Sequence, residues 1–74
     1  MSDQEIPVEI RKQLLEEELA RWRNTRYLFE VRYKVAQRIG DGPEVVAGYR
    51  AELERCERAI DALEEIMSAG RVAA

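Results

Sequence analysis

The second half of the chain carries an apolar residue at alternating steps of three and four positions. These residues are Val46, Tyr49, Leu53, Cys56, Ile60, Leu63 and Met67. Such spacing puts every member on one side of an α-helix, as in the a and d positions of a coiled coil. We call this stripe the seam. It predicts a long helix that needs a partner helix to cover it.

Helix-breaking residues divide the chain into two long segments. Pro7 suits the first turn of a helix, and no breaker follows before the run Gly40-Asp41-Gly42-Pro43, which can end one helix and start the next. Gly70 can end the second helix. We therefore predict one domain over 1–74, with helices at about 7–39 and 43–69, a turn at 40–42 and a frayed tail at 70–74.

A turn this short brings two long helices back antiparallel. If Ile39 lies across from Pro43, the seam faces a mostly apolar row on the first helix. Its members are Leu15, Leu19, Trp22, Phe29, Tyr33 and Ala36. The predicted fold class is all-α, an antiparallel two-helix hairpin that resembles a coiled coil.

One layer of this hairpin is polar, because Arg26 falls across from Cys56. We expect Arg26 to run its stem over the seam and to stack its guanidinium on Trp22 or Phe29. The alternative is a buried cation that fixes the register or meets an acid of a partner. Cys56 is expected to be a small core residue rather than a nucleophile.

The first helix has more apolar surface than one seam requires. A second set of apolar residues falls roughly opposite the first at about 100° per residue. It consists of Ile10, Leu14, Leu28, Val31, Val35 and Ile39. Arg21 and Arg32 share this side and interrupt it. Scattered exposed aliphatics are the alternative, but a face in register favours burial against a homo-oligomeric copy, giving a dimeric four-helix bundle, or against another helical protein.

Size points to association as well. A 74-residue chain buries little apolar surface, and small domains usually gain stability from disulfides, metals or oligomerisation. One cysteine cannot form an intrachain disulfide, and without histidine a structural zinc site has no plausible ligand set. Metal and cofactor sites are therefore not expected, which leaves oligomerisation or a partner.

The net charge is -3, but positive charge is concentrated in residues 21–38. The antiparallel pairing of the helices sets this block against acids of the second helix, so we favour an internal charge match, with pairs such as Glu17 with Arg21 and Glu30 with Lys34. The competing interpretation is a nucleic-acid contact. It would use Arg23, Tyr27, Lys34 and Arg38.

Without histidine, and with acids mostly on solvated helix faces, the sequence does not indicate an enzyme. No apolar segment is long enough for a membrane span, and the first residues lack the features of a signal peptide, so a cytoplasmic location is expected. The sequence thus predicts a small non-enzymatic interaction protein, such as an adaptor, small chaperone or regulator. The alternative is an RNA- or DNA-binding hairpin.

Overall fold

A computed structural model describes residues 6–73 of the chain, and the side chains of residues 6–70. It contains helix α1, Val8–Ile39, and helix α2, Pro43–Ala73, which pack against each other. The two helices form a slender hairpin of 52 × 19 × 17 Å. The all-α hairpin fold predicted from the sequence is confirmed.

Helix α1 begins directly after proline. Pro7 is the N-cap residue, with φ -60° and ψ 150°, and its carbonyl oxygen accepts a hydrogen bond from the Arg11 N–H at 3.0 Å. Proline fixes φ near the helical value and has no N–H to leave unpaired, so it suits the start of a helix. The observed first helical residue, Val8, lies one position after the predicted start.

The turn between the helices is built from residues 40–42, as predicted. Gly40 has φ 74°, a left-handed conformation that glycine adopts without steric cost, and the Asp41 N–H donates to the Ala36 carbonyl oxygen at 2.9 Å. Pro43 then starts α2, where the Gly42 carbonyl oxygen accepts from the Val46 N–H at 3.2 Å. These contacts satisfy backbone groups that a helix end leaves unpaired.

The predicted seam forms the interior of the hairpin. All seven of its side chains are buried or half-buried, and so are the six apolar residues assigned to it on α1. Among the described side chains, four apolar ones are buried. They are Leu19, Ala36, Cys56 and Ile60. The hairpin therefore has a narrow core near its middle, with a small additional contact beside the turn.

A ring contact and an ion pair across the hairpin lie on either side of the predicted register, in which Ile39 faces Pro43. The rings of Phe29 and Tyr49 lie 6.2 Å apart, and an Arg23 guanidinium nitrogen lies 3.1 Å from a Glu64 carboxylate oxygen. The positive charge of Arg26 lowers the pKa of the Cys56 thiol, so the two residues lie near each other across the hairpin. The antiparallel pairing can thus be inferred from the length of the turn alone.

Two expectations need correction. Arg26 is exposed and does not stack on the rings next to it; Arg55 lies over Trp22 at 5.4 Å and Arg32 over Phe29 at 5.6 Å. The second helix also does not end at residue 69 but continues through Gly70 to Ala73. A glycine costs a helix about 1 kcal/mol relative to alanine but leaves its hydrogen bonds intact, and no proline follows to stop it.

Candidate interaction surface

One side of α1 faces away from α2 and is largely apolar. We call it the outer face. Its apolar members are Ile10, Leu14, Leu28, Val31, Val35 and Ile39, the six residues predicted from the sequence. Their side chains are between 38% and 68% exposed, so the second helix of the chain does not cover them. A row of six exposed aliphatics along a single helix is more than a small protein usually leaves in water.

One exposed apolar residue, Ile6, precedes α1 and is 41% exposed. It was not assigned to a surface from the sequence, because it lies before Pro7, outside the predicted helix.

Both arginines of the outer face contact groups on their own helix. Arg21 lies 3.7 Å from the Glu18 carboxylate, and the guanidinium of Arg32 lies over the Phe29 ring. The predicted partner of Arg21 was Glu17, which instead accepts a hydrogen bond from Gln13. These exposed contacts are weak, since such pairs contribute only a few tenths of a kcal/mol. The guanidinium groups remain available to an acid on another chain.

The candidate nucleic-acid flank lies on a different side of α1 and is partly neutralised within the chain. Arg23 pairs with Glu64 across the hairpin at 3.1 Å, and Lys34 pairs with Glu30 at 3.2 Å, as predicted. Tyr27 is exposed, and Arg38 lines a shallow open depression near the end of α1. Two of the three cations of this flank therefore already have an acidic partner.

Fewer ion pairs join the two helices than the sequence predicted. Among ion pairs of the described residues, Arg23–Glu64 joins α1 to α2, whereas the other four each lie within one helix. Most of the positive charge of α1 is therefore not used by α2. It stays on the surface, where it can act on other molecules.

Cys56 is the largest fully buried side chain among the described residues, with 1% of its surface exposed. Burial raises the pKa of its thiol, and the nearby Glu52 carboxylate raises it further, against opposing effects of Arg55 and Arg26. A buried neutral thiol is a poor nucleophile. This residue fills the core, as predicted.

Other kinds of site find little support in the described part of the chain. Within it, no group of three or more His, Cys, Asp and Glu side chains is placed to hold a metal ion. Neither helix, over the residues described, has an apolar stretch sufficient to cross a bilayer. The outer face of α1 is therefore the most distinctive surface of this hairpin.

Comparison with known proteins identifies no relative, since the chain matches no protein-family model, no curated protein and no solved structure. Inferences about function therefore rest on the geometry of the hairpin.

Proposed function

We propose that this chain is a non-enzymatic interaction protein, an adaptor, small chaperone or regulator, that acts through a helical bundle built on the outer face of α1. The observation that carries the proposal is the row of six exposed apolar side chains on that face. A second hairpin laid against it forms a four-helix bundle, in which both sides of α1 are covered.

The surface area of the hairpin supports this arrangement. The 74-residue chain as a whole exposes 6061 Å², whereas a compact folded monomer of 8.6 kDa exposes about 4,700 Å². The excess is about 1,400 Å², more than the roughly 800 Å² that each partner buries in a standard interface. Burying about 800 Å² of each chain along α1 would lower the exposed area to about 5,300 Å² per chain, nearer to the value for a compact protein.

A second copy of this chain is the occupant we favour. Two-fold homodimers are the commonest soluble oligomers, and their interfaces are formed by the same patch on both subunits. The outer face extends over most of the length of α1, so two copies can cover each other's face. The same surface could instead receive a helix of another protein, and then the purified chain would be monomeric.

The test is the native mass of the purified protein by light scattering, over a dilution series. We expect twice the chain mass of 8.6 kDa for the wild type, and the monomer mass for the variant Val31→Asp, Val35→Asp, because burying four carboxylates in a dimer interface is strongly unfavourable. The matched control is Tyr27→Asp, Gln37→Asp, which changes the charge equally at two exposed positions off the outer face.

The control variant should remain dimeric. A dimer that survives the Val31→Asp, Val35→Asp change would show that the outer face is not the interface. A wild-type monomer at every concentration would refute the homodimer.

Nucleic-acid binding is less well supported, because internal ion pairs engage Arg23 and Lys34. A gel-shift series with RNA and DNA at rising salt tests it. Contacts to phosphates would give a complex at low salt that weakens steeply as salt increases. We expect no shift at low salt, and a salt-sensitive shift abolished by Tyr27→Asp would favour the alternative instead.

A further inference from the structure

We infer that two copies of this chain pack α1 against α1 in antiparallel orientation, with Leu14 of each copy across from Val31 of the other. This rests on the proposed function, since it assumes that a second copy covers the outer face. It adds the orientation and register of the two subunits.

The outer face follows a heptad pattern of its own. Alternating steps of four and three residues connect Ile10, Leu14, Glu17, Arg21, Asn24, Leu28, Val31, Val35 and Arg38. Apolar positions lie on both sides of a polar middle, and Arg38 ends the row. A row with this near-symmetry can be matched to a reversed copy of itself.

In antiparallel pairs of helices, a positions of one helix meet d positions of the other. One register that obeys this rule places Ile10 across from Val35, and Leu14 across from Val31. Two-fold symmetry repeats each of these apolar layers, so four layers cover both ends of the interface.

The middle of this register is polar. Glu17 lies across from Leu28, which sets one charged side chain against an apolar one in each half of the interface. Arg21 lies across from Asn24, whose side-chain amide oxygen can accept a hydrogen bond from the guanidinium. Both side chains are exposed in the single hairpin, so both are free to reorient. Polar layers of this kind weaken an apolar interface but fix its register and orientation.

The parallel alternative brings like charges together. With the two copies in parallel, each residue of the row meets its own equivalent, so Glu17 faces Glu17, Arg21 faces Arg21 and Arg38 faces Arg38. Like charges at the centre of an interface oppose association unless each has another partner. The parallel dimer therefore has three layers of like charge that the antiparallel dimer lacks.

The charge distribution along α1 also favours the antiparallel arrangement. Residues 9–18 contain four acids against Arg11 and Lys12, whereas residues 21–38 contain six bases against Glu30. Among the ion pairs of described residues, only Arg23–Glu64 connects these bases to α2. An antiparallel partner would bring its acidic segment against this basic one.

One specific pair illustrates the match. In the proposed register, Glu18 lies about 7.5 Å along the axis from Arg32 of the second copy, from five residues at 1.5 Å each. Helical side chains lean toward the N-terminus of their own helix, so in an antiparallel pair these two lean toward each other. The pair occurs twice in the dimer and adds orientation specificity.

Disulfide cross-linking between single-cysteine substitutions distinguishes the two orientations. The variants are Leu14→Cys and Val31→Cys, each made with Cys56→Ala and checked for wild-type helicity and mass. If Cys56→Ala does not fold, the native Cys56 is kept, because its buried thiol reacts slowly, and cross-linked peptides are identified by mass spectrometry.

In the antiparallel dimer the two Leu14 positions are about 25 Å apart, from 17 residues at 1.5 Å each, whereas a disulfide needs Cα atoms within about 7 Å. We therefore expect little cross-linking of either variant alone. After subunit exchange in an equal mixture, a Leu14→Cys to Val31→Cys disulfide should form in about half of the chains, the statistical share of mixed dimers.

Each other outcome has a distinct meaning. Efficient disulfides within each variant alone, on a protein of dimer mass, would overturn the antiparallel orientation and leave the proposed function standing. Cross-linking of Leu14→Cys to Val35→Cys or Arg38→Cys in preference to Val31→Cys would overturn the register. A monomeric mass without cross-links would refute the homodimer as well.

Discussion

The sharpest test of the hairpin core is to truncate Ile60. Its side chain is 8% exposed and sits in the seam of α2. Ile60→Ala removes three carbon atoms, and at about 0.8 kcal/mol for each buried carbon the transfer term alone is about 2.4 kcal/mol. The cavity left behind adds to this, so we expect a loss of about 2–5 kcal/mol in the free energy of unfolding.

Ile66 is the matched control, because it lies on the same helix but is 54% exposed. Ile66→Ala deletes the same three atoms from a side chain that is already half in water. Alanine also forms helix better than isoleucine by a few tenths of a kcal/mol. The expected loss is therefore about 1 kcal/mol or less.

Urea denaturation followed by circular dichroism measures both variants, at one fixed protein concentration. With a denaturant slope of about 1 kcal/mol per molar, the midpoint for Ile60→Ala should fall by about 2 M or more, or the variant should be unfolded in water. Equal midpoints for the two variants would refute the assignment of the core to the α1–α2 seam.

Two further changes test the thiol and the turn. Burial and Glu52 raise the pKa of the Cys56 thiol in the folded state, so its stabilising contribution is complete below the unfolded thiol pKa of about 8.5 and is lost as the pH rises through the higher folded pKa. Unfolding free energies should therefore fall more with rising pH for the wild type than for Cys56→Ala, and parallel curves would contradict the assignment. Gly40→Ala should cost about 1 kcal/mol or more, because its φ of 74° strains any residue with a Cβ. Gly42→Ala is the control, with ordinary φ and open space around it, and should be neutral or slightly stabilising in the same urea titration.

The hairpin can be predicted from the sequence because its signals are local. The run from Gly40 to Pro43 encodes a left-handed cap and a helix start in four residues. The spacing of the seam then fixes which side of α2 is buried, and the length of the turn fixes its partners on α1. None of these steps depends on the detailed conformation of a side chain.

Side-chain placement was harder to predict. Arg26, Arg32 and Arg55 can all reach an aromatic ring near the seam, and sequence spacing does not say which of them will. The outer face was predictable as a surface, because exposure follows from helical periodicity. The partner that covers the outer face was not predictable, since an apolar stripe is complementary to many helices.

Folding and association should be coupled in this protein. Four buried apolar side chains among those described give a thin core, and small domains of this size usually need further stabilisation. If the outer face of a second copy supplies it, stability becomes dependent on protein concentration. A tenfold increase in concentration adds about 1.4 kcal/mol per dimer.

Thermal unfolding over a hundredfold range of concentration measures this effect. The midpoint of the wild type should rise with concentration, while that of Val31→Asp, Val35→Asp should be lower and constant, because a monomer has no association term. The midpoint of the control variant Tyr27→Asp, Gln37→Asp should rise with concentration, as that of the wild type does. A wild-type midpoint independent of concentration would show that the hairpin is stable without a second copy, and the apolar outer face would then have to be explained by a different partner.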